Sequence, residues 1–207
     1  MKVGIIGKGN VGKAIAAGLS HAGHEIRHGH RDPNEPVRPA AEWGEVVFLA
    51  VPYENAAEVA EEIGSLVDGK AVVDVSNAVG DDWNLAIGFS TSAGEEMQRK
   101  LPKAHVVKAF NTVFAQNQST GRLGEESLTL FVADDDAKAR QVVMSLGKDI
   151  GFDCVDTGPL KSARYLEPMG MLMINLGLVL GMGNKIGFKL VKGKRLAKNT
   201  LISKRND

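Results

Sequence analysis

Three glycines near the start of the chain constrain the fold more than any other feature. Gly7, Gly9 and Gly12 stand in the spacing G-x-G-x-x-G, directly after the apolar run KVGII and before a segment of helical periodicity that starts near Asn10 and Val11. In a strand–turn–helix unit, the first glycine permits a tight turn, the second lets the backbone approach a pyrophosphate, and the third lets the helix pack on the strand. The motif in this context predicts a dinucleotide-binding loop, with the pyrophosphate on the free N–H groups of the helix.

Short apolar runs alternate with helical periodicity along the rest of the chain. The predicted strands are residues 2–6, 24–28, 45–51, 70–76, 105–110, 128–133 and 152–156, and the predicted helices are residues 10–22, 54–65, 91–100, 135–148 and 161–181. This alternation predicts an α/β fold with a doubly wound, mostly parallel sheet of the Rossmann-like NAD(P)-binding type. The valine-rich runs at 45–51 and 70–76 are typical of strands buried on both faces.

The length of the chain limits its domain organisation. With 207 residues, of which 43% are hydrophobic, it can bury the core of one domain, and a large second domain is excluded. We predict a single dinucleotide-binding domain over residues 1–190, which ends in a C-terminal helical extension. Residues 191–207 form a basic tail, interpreted as a solubilising end, with a polyanion-binding arm as the alternative.

Charge and cysteine content indicate the surroundings of the protein. Lys plus Arg and Asp plus Glu both number 25, so no overall field attracts nucleic acid or an acidic membrane. The lone Cys154 excludes an internal disulfide, and the N-terminus lacks the features of an export signal. Residues 168–184 are uncharged but fall short of the ~20 residues that span a bilayer. A cytoplasmic protein is expected.

The end of the second predicted strand indicates which dinucleotide binds. An acidic residue at this position accepts the ribose hydroxyls of NAD, whereas this chain has the sequence HGHRDP. Arg31 is expected to bind the 2′-phosphate of NADP bidentately, with His30 as a further donor or stacking partner and Arg38 closing over from the loop. Asp32 is expected to point away or to cap the turn before Pro33. The sequence therefore predicts NADP(H).

Other polar clusters have ordinary structural interpretations. His28 and His30 share a strand face but lack the additional ligands of a metal site, and Asp134 to Asp136 are expected to cap a helix, so no metal is predicted. The methionines at 169, 171 and 173 are expected to pack against the sheet or a second subunit. Arg164 and Glu167 are expected to form a surface pair, and Tyr165 to be half-buried in the core.

Reduction of a carbonyl or imine needs a proton donor in the pocket, and none is evident beyond the glycine motif. Hydride transfer to a second flat ring needs mainly positioning, because solvent can supply the proton. The sequence therefore favours a flavin (FMN or FAD) or a deazaflavin as the second cofactor or substrate, with no catalytic side chain.

Several blocks of sequence follow one another along the chain. They are GKGNVGKA, VPYENA at 51–56, VVDVSNAVG at 72–80, VVKAFNTVFA at 106–115, DDDAKARQVVMSLGKDIGF at 134–152, DTGPLKSARYLE at 156–167 and GMGNKIGFKL at 181–190. In this order the blocks resemble the NADPH-dependent reductases of the deazaflavin coenzyme F420. They also resemble the cytosolic NADPH domain of the six-transmembrane metalloreductases, which passes hydride to a flavin. The resemblance covers residues 1 to about 190.

The resemblance implies that NADPH lies across the carboxyl ends of the strands. It implies cofactor contacts from Val51, Pro52, Tyr53, Ser76, Asn77 and Ala78, and acceptor contacts from Asn111, Thr112, Val113 and Phe114. The chain departs from the F420 reductases at Asn111, where a His is common, and in SNAV, where a Pro-containing loop is common. Both features are closer to the metalloreductase domain, so the donor is better defined than the acceptor.

Two other functions remain open at this point. A non-catalytic NADP sensor would signal through the 111–127 loop or the basic tail, and a carbonyl or imine reductase would use Tyr165 or His105 as proton donor. The apolar helix near 166–181 suggests a homodimer contact, although covering its own sheet is an equal explanation.

Overall fold

A five-stranded parallel sheet forms the centre of the molecule. The computed structural model describes residues 1–80 and 84–193. The strands are β1 (Lys2–Ile6), β2 (Glu25–Gly29), β3 (Val46–Leu49), β4 (Ala71–Asp74) and β5 (His105–Lys108), in the order β2-β1-β3-β4-β5. Every neighbouring pair is parallel, which confirms the predicted doubly wound α/β fold.

Helices cover both faces of this sheet. They are α1 (Asn10–His21), α2 (Val37–Trp43), α3 (Tyr53–Ile63), α4 (Ala93–Lys100), α5 (Ala115–Gln118), α6 (Ala137–Ile150) and α7 (Ala163–Ile174). Because alternate residues of a strand face opposite ways, Phe48 packs in the core cluster that includes α1 and α6, and Leu49 in the one that includes α2, α3 and α4. All four residues of β3 are buried, as the valine-rich run predicted.

A short parallel pair extends the sheet beyond β5. Strand β8 (Thr129–Val132) pairs with β9 (Asp153–Asp156), after a small antiparallel hairpin of β6 (Arg122–Leu123) and β7 (Glu126–Ser127). A single antiparallel bridge between Lys108 and Ala133 joins the pair to β5. The predicted strands at 128–133 and 152–156 are thus confirmed, whereas the hairpin was not predicted.

The helix predictions hold for most elements and fail at two places. Helix α2 was not predicted, because its seven residues begin after Pro36 and include a second proline, Pro39. The predicted helix 161–181 is divided into a 3₁₀ turn (Leu160–Ser162), α7 and a π-helical segment (Asn175–Val179). Asp136 caps α6 by accepting from the N–H of Ala139 at 2.8 Å, as expected.

Within the described residues, no helix is long and apolar enough to cross a membrane. The predicted basic tail falls outside the described residues from 194 onward, so the boundary between residues 1–190 and 191–207 stays a prediction.

Candidate functional site

Two cavities lie on either side of the glycine loop. In the sheet, β2 lies on one side of β1 and β3 lies on the other, so the strand order reverses at β1. A ligand crevice is expected at such a reversal. We call the first the Arg31 cavity, of about 500 Å³, and the second the amide cavity, of about 360 Å³. Gly7 and Gly9 line the former, and Asn10 and Val11 in the first turn of α1 line the latter.

The three motif glycines differ in what a side chain at each position would contact. Gly7 has φ +110°, and a Cβ there would overlap the carbonyl of Ala50 in the loop after β3. A Cβ on Gly12 would overlap the carbonyl of Gly7, so α1 could not pack this closely on the loop. A Cβ on Gly9 would meet no atom within 4 Å. Gly9 therefore borders open space, which a phosphate group would fit.

The start of α1 also suits an anion. Gly9 is its N-cap residue, no side chain caps it, and no acidic residue stands in its first turn. The first N–H groups of a helix lack partners within the helix and carry its positive dipole end. The residues at this end of the loop therefore fit a pyrophosphate.

The end of β2 forms the rim of the Arg31 cavity. Asp32 caps its own turn, as expected, because its Oδ1 accepts from the backbone N–H of Asn34 at 2.9 Å and from the Asn34 amide at 3.0 Å. Arg31 is exposed, and among the described residues its guanidinium has no hydrogen-bond or ion-pair partner. His30 lines the same cavity. The unpaired guanidinium fits a 2′-phosphate.

The basic residues that line the Arg31 cavity differ from the predicted ones at two positions. Arg38 lies on α2, where its Nη1 donates to the carbonyl of Glu62 at 2.7 Å, and it does not line the cavity. Lys8, which was not predicted, does line it and pairs with Glu35. Lys8 occupies a variable position of the glycine motif, so the motif could not predict that its side chain lines this cavity.

Among the described residues, 1–80 and 84–193, no titratable side chain lines the amide cavity. Its lining consists of Asn10, Val11, Val75, Asn77, Phe110, Asn111, Val113, Phe114, Ala115, Gln116, Gln118, Gly170, Met173, Ile174, Leu178 and Asn184. Of the predicted residues, Asn77, Asn111, Val113 and Phe114 are brought together here. Neutral amides and apolar side chains suit a flat ring and offer no acid or base.

Six of the residues that the resemblance implied do not line the amide cavity. Ala78 and Thr112 are buried, and Ser76 faces a separate space of about 200 Å³ together with Tyr53. Tyr53 donates to Glu96 Oε2 at 2.9 Å, and burial together with this carboxylate raises the pKa of Tyr53 to about 12. Val51 and Pro52 line the Arg31 cavity instead.

A reciprocal amide pair forms one wall of the amide cavity. The Asn77 side chain donates to the carbonyl of Asn111 at 2.8 Å, and the Asn111 side chain donates to Asn77 Oδ1 at 2.9 Å and to the carbonyl of Leu166 at 2.8 Å. A Cβ on Gly170 would overlap the Asn77 side chain, and one on Gly177 would overlap the Phe114 ring. Two loops and α7 thus meet closely at this wall.

Two buried acceptors at this cavity have no partner among the residues that the structure describes. The Gln118 side chain donates to the carbonyls of Val113 at 2.9 Å and Phe110 at 3.2 Å, which hold a turn in which Phe110 has φ +66°. Because these bonds end on carbonyl oxygens, the donating atom of Gln118 must be its side-chain nitrogen, and the bond to the Leu166 carbonyl fixes the nitrogen of Asn111 in the same way. The side-chain oxygens of Asn111 and Gln118 are therefore the atoms without a partner. Unsatisfied buried acceptors are rare in folded proteins. A carboxamide such as that of nicotinamide fits their chemistry.

Two predictions about helix α7 are wrong, and the alternative proton donor His105 lies away from both cavities. Arg164 forms a bidentate pair with Glu95 at 2.8 and 2.7 Å rather than with Glu167, which is fully buried and lies 2.9 Å from Lys108 Nζ. Tyr165 is 68% exposed rather than half-buried, because it faces outward from α7. His105 lies at the amino end of β5, the opposite edge of the sheet from the carboxyl ends that border both cavities.

No metal centre is evident from the described side chains, since no three His, Cys, Asp or Glu residues among them converge. Burial, and then the charge of Lys8, lowers the pKa of His28, so its imidazole is neutral near neutral pH. Burial raises the pKa of the Cys154 thiol to about 11, which makes it a poor nucleophile.

Known proteins match both the sequence and the fold. The family model described as "NADP oxidoreductase coenzyme F420-dependent" matches residues 2–42 and 34–78. The F420-dependent NADP reductase of Methanothermobacter marburgensis is 26% identical over 209 residues, which cover 86% of this chain and 93% of that protein. By sequence and fold, the chain is similar to the coenzyme F420-dependent NADP oxidoreductases. The predicted resemblance is confirmed.

A solved structure from Arthrobacter sp. FB24 matches this chain over almost its whole length. It has a TM-score of 0.85 and 28% identity, covering 93% of this chain and 100% of that one, and its description as an F420-dependent NADP reductase is provisional. An imine reductase of Myxococcus stipitatus in complex with NADP⁺, at 16% identity and a TM-score of 0.63, shares the fold alone.

The metalloreductases are the second group of relatives. Metalloreductase STEAP2 of Homo sapiens is 26% identical over 187 residues, which cover 84% of this chain and 36% of that protein. The chain therefore spans about a third of the length of these relatives.

Proposed function

We propose that the chain transfers hydride between NADP(H) and a flat second ring, either the deazaflavin F420 or a flavin. The observation that carries this proposal is the amide cavity, which adjoins the glycine loop and is lined without any titratable side chain. Such a lining can hold two rings in contact but cannot protonate a carbonyl or an imine. The names of the relatives support NADP as donor and F420 as acceptor.

In this proposal the Arg31 cavity binds the adenosine half of NADP(H). Gly7, Gly9 and Gly12 with the N–H groups of Asn10 and Val11 hold the pyrophosphate, and Arg31 with His30 holds the 2′-phosphate. Val51 and Pro52 border the path along the loop after β3. Bound NADPH would supply the hydride.

The amide cavity orients the reacting ring in the same proposal. Asn77 and Asn111 fix the wall, Phe114 and Val113 give it flat apolar surface, and the orphaned oxygens of Asn111 and Gln118 accept from a carboxamide or ring N–H. Exclusion of water and alignment of the two rings are then the contributions of the protein, and no residue acts as an acid or base.

Oxidation of NADPH, followed at 340 nm with F420, FMN and FAD in turn, tests the proposal. Turnover with at least one acceptor is expected, with NADPH preferred over NADH. Tight NADPH binding without oxidation by any of the three would contradict it and would favour the alternative of an NADP sensor. Oxidation only by small carbonyls or imines would contradict it in favour of a reductase.

We also propose that a second copy of the chain covers the exposed end of α7. Four apolar side chains in this region are 49 to 67% exposed, namely Leu172, Val179, Leu180 and Met182. The uncharged segment 178–182 begins with Leu178, which lines the amide cavity. An apolar patch of this kind is typical of a subunit contact. Sedimentation is expected to give a dimer for the wild type and a monomer for Leu180→Glu. A monomeric wild type would contradict the proposed dimer.

A cytoplasmic location of the protein stays a prediction.

A further inference from the structure

A buried ion cluster lies beneath the wall of the amide cavity. Lys108 Nζ lies 2.8 Å from Asp74 Oδ2, 2.9 Å from Glu167 Oε1 and 2.6 Å from the carbonyl of Ser76. The side chains of Lys108 and Glu167 are 0% exposed and that of Asp74 is 3% exposed. One ammonium group thus joins two carboxylates that lie on different elements.

Both carboxylates are satisfied by further donors. Asp74 Oδ1 accepts from the N–H and the hydroxyl of Ser76 at 2.9 and 2.7 Å. Glu167 accepts from the N–H groups of Ala93 and Gly94, at 2.9 and 3.1 Å, in the first turn of α4. The positive end of that helix offsets the second negative charge. A fully satisfied network of this kind is rigid, while a partly satisfied one is costly.

Each cluster residue stands three positions before a residue of the amide-cavity wall. Asp74 precedes Asn77 in the segment after β4, Lys108 precedes Asn111 after β5, and Glu167 precedes Gly170 on α7. The three wall residues are themselves in contact, because Asn77 and Asn111 bond reciprocally and Gly170 leaves room for Asn77. The cluster therefore ties together the segments that must meet for the wall to exist.

We propose that Asp74, Lys108 and Glu167 are positioning residues that hold these three segments in register, so that the amide cavity keeps the shape of a flat ring. None of the three lines the amide cavity, so they act through Asn77, Asn111 and Gly170 rather than on a ligand. The structural part of this inference concerns the wall alone, and only its kinetic consequence rests on the proposed function.

Hydrogen exchange of the ligand-free protein tests the structural part. Asp74→Asn and Glu167→Gln each remove one charge with little change of volume and leave Lys108 one carboxylate partner, so both variants are expected to fold. Lys108→Met is less suitable, because it would leave two buried carboxylates uncompensated. A matched control is Arg140→Gln, which removes an ion pair with Asp156 at 2.8 Å between α6 and β9.

Both cluster variants are expected to exchange about tenfold faster in all three segments, residues 76–78, 111–113 and 166–170, and the control in none of them. Faster exchange only in the segment that carries the substitution would overturn the proposal, since the cluster would then not couple the three. Equal loss of protection throughout the sheet would overturn it as well, because it would indicate general destabilisation.

Ligand binding and single turnovers test the kinetic part. In the cluster variants the rate constant of hydride transfer is expected to fall about tenfold, while the Kd of 2′,5′-ADP, which lacks the nicotinamide, changes less than about twofold. An unchanged rate constant together with the faster exchange would overturn the kinetic role. Absence of hydride transfer in the wild type would instead contradict the proposed function, and the exchange experiment would still decide whether the cluster couples the wall.

Discussion

The two cavities beside the glycine loop are built by different means. The Arg31 cavity takes Lys8, His30 and Arg31 from two short stretches, the loop after β1 and the end of β2, and presents exposed charge. The amide cavity draws on the first turn of α1, the segments after β4 and β5, and α7, and presents neutral groups that are mostly buried. Recognition in the first is local and electrostatic, whereas shape in the second depends on packing between distant segments.

Substitution of Gly7 is expected to damage both cavities at once. Gly7→Ala forces a left-handed φ on a residue with a side chain and overlaps Ala50, so it should lower the free energy of unfolding by about 2–4 kcal/mol. Thermal or urea denaturation measures this loss. Gly9→Ala is the matched comparison, because its Cβ meets no protein atom, and it should weaken NADPH binding while leaving the free energy of unfolding nearly unchanged. Equal destabilisation by the two would refute the different roles assigned to them.

Removal of the Arg31 guanidinium is expected to change affinity in the Arg31 cavity alone. Arg31→Ala should raise the Kd of NADPH by about 10- to 100-fold, because charge-assisted hydrogen bonds to a dianion are lost, and should leave the Kd of NADH within about twofold. Calorimetry with both nucleotides gives the two values. Arg27→Ala, on the preceding strand β2 and stacked on Trp43, should affect neither. If the NADH and NADPH affinities fall together, Arg31 does not select the phosphate.

The same contrast explains how much of the molecule the sequence predicted. Glycine spacing, strand alternation and the end of β2 are contiguous patterns, so the fold, the loop and the cavity at Arg31 followed from them. Lys108 lies inside an apolar run and gave no signal of a buried ion cluster. Its partners stand 34 and 59 positions away, and only the folded chain brings them together.

Helix α7 shows a second limit of sequence patterns. The spacing of Arg164 and Glu167 suggested a pair on one helix face, yet each finds a partner on another element, one on Glu95 and one on Lys108. Arg164 and Glu167 do not pair with each other, because a buried carboxylate such as that of Glu167 needs a cation and helix N–H groups around it.

Substitution of Gly170 is expected to act on the amide cavity alone. Gly170→Ala places a Cβ against the Asn77 side chain, so Asn77 must shift away from Asn111. The rate constant of hydride transfer should fall about tenfold, since small displacements of reacting groups are costly, while the Kd of 2′,5′-ADP stays within about twofold. Stopped-flow absorbance and calorimetry measure the two. Gly193→Ala, whose Cβ meets no atom, is the control. An unchanged rate would show that the wall tolerates displacement of Asn77.

The smallest expected effect is that of pH on the chemical step. No titratable side chain lines the amide cavity, so the single-turnover rate constant should change less than about twofold from about pH 6.5 to about pH 9. The Arg31 cavity should respond, because a phosphate with a second pKa near about 6 loses half its charge below that pH and binds Arg31 less tightly. Burial and the charge of Lys8 lower the pKa of His28, and His28 lines neither cavity, so no step in the rate is expected from it. Stopped-flow rates over this range, and NADPH titrations that extend below the phosphate pKa, separate the two quantities. A sigmoidal rate profile with a midpoint inside this range would reveal a proton donor at the ring, and hydride transfer between two flat rings by positioning alone would then be the wrong mechanism.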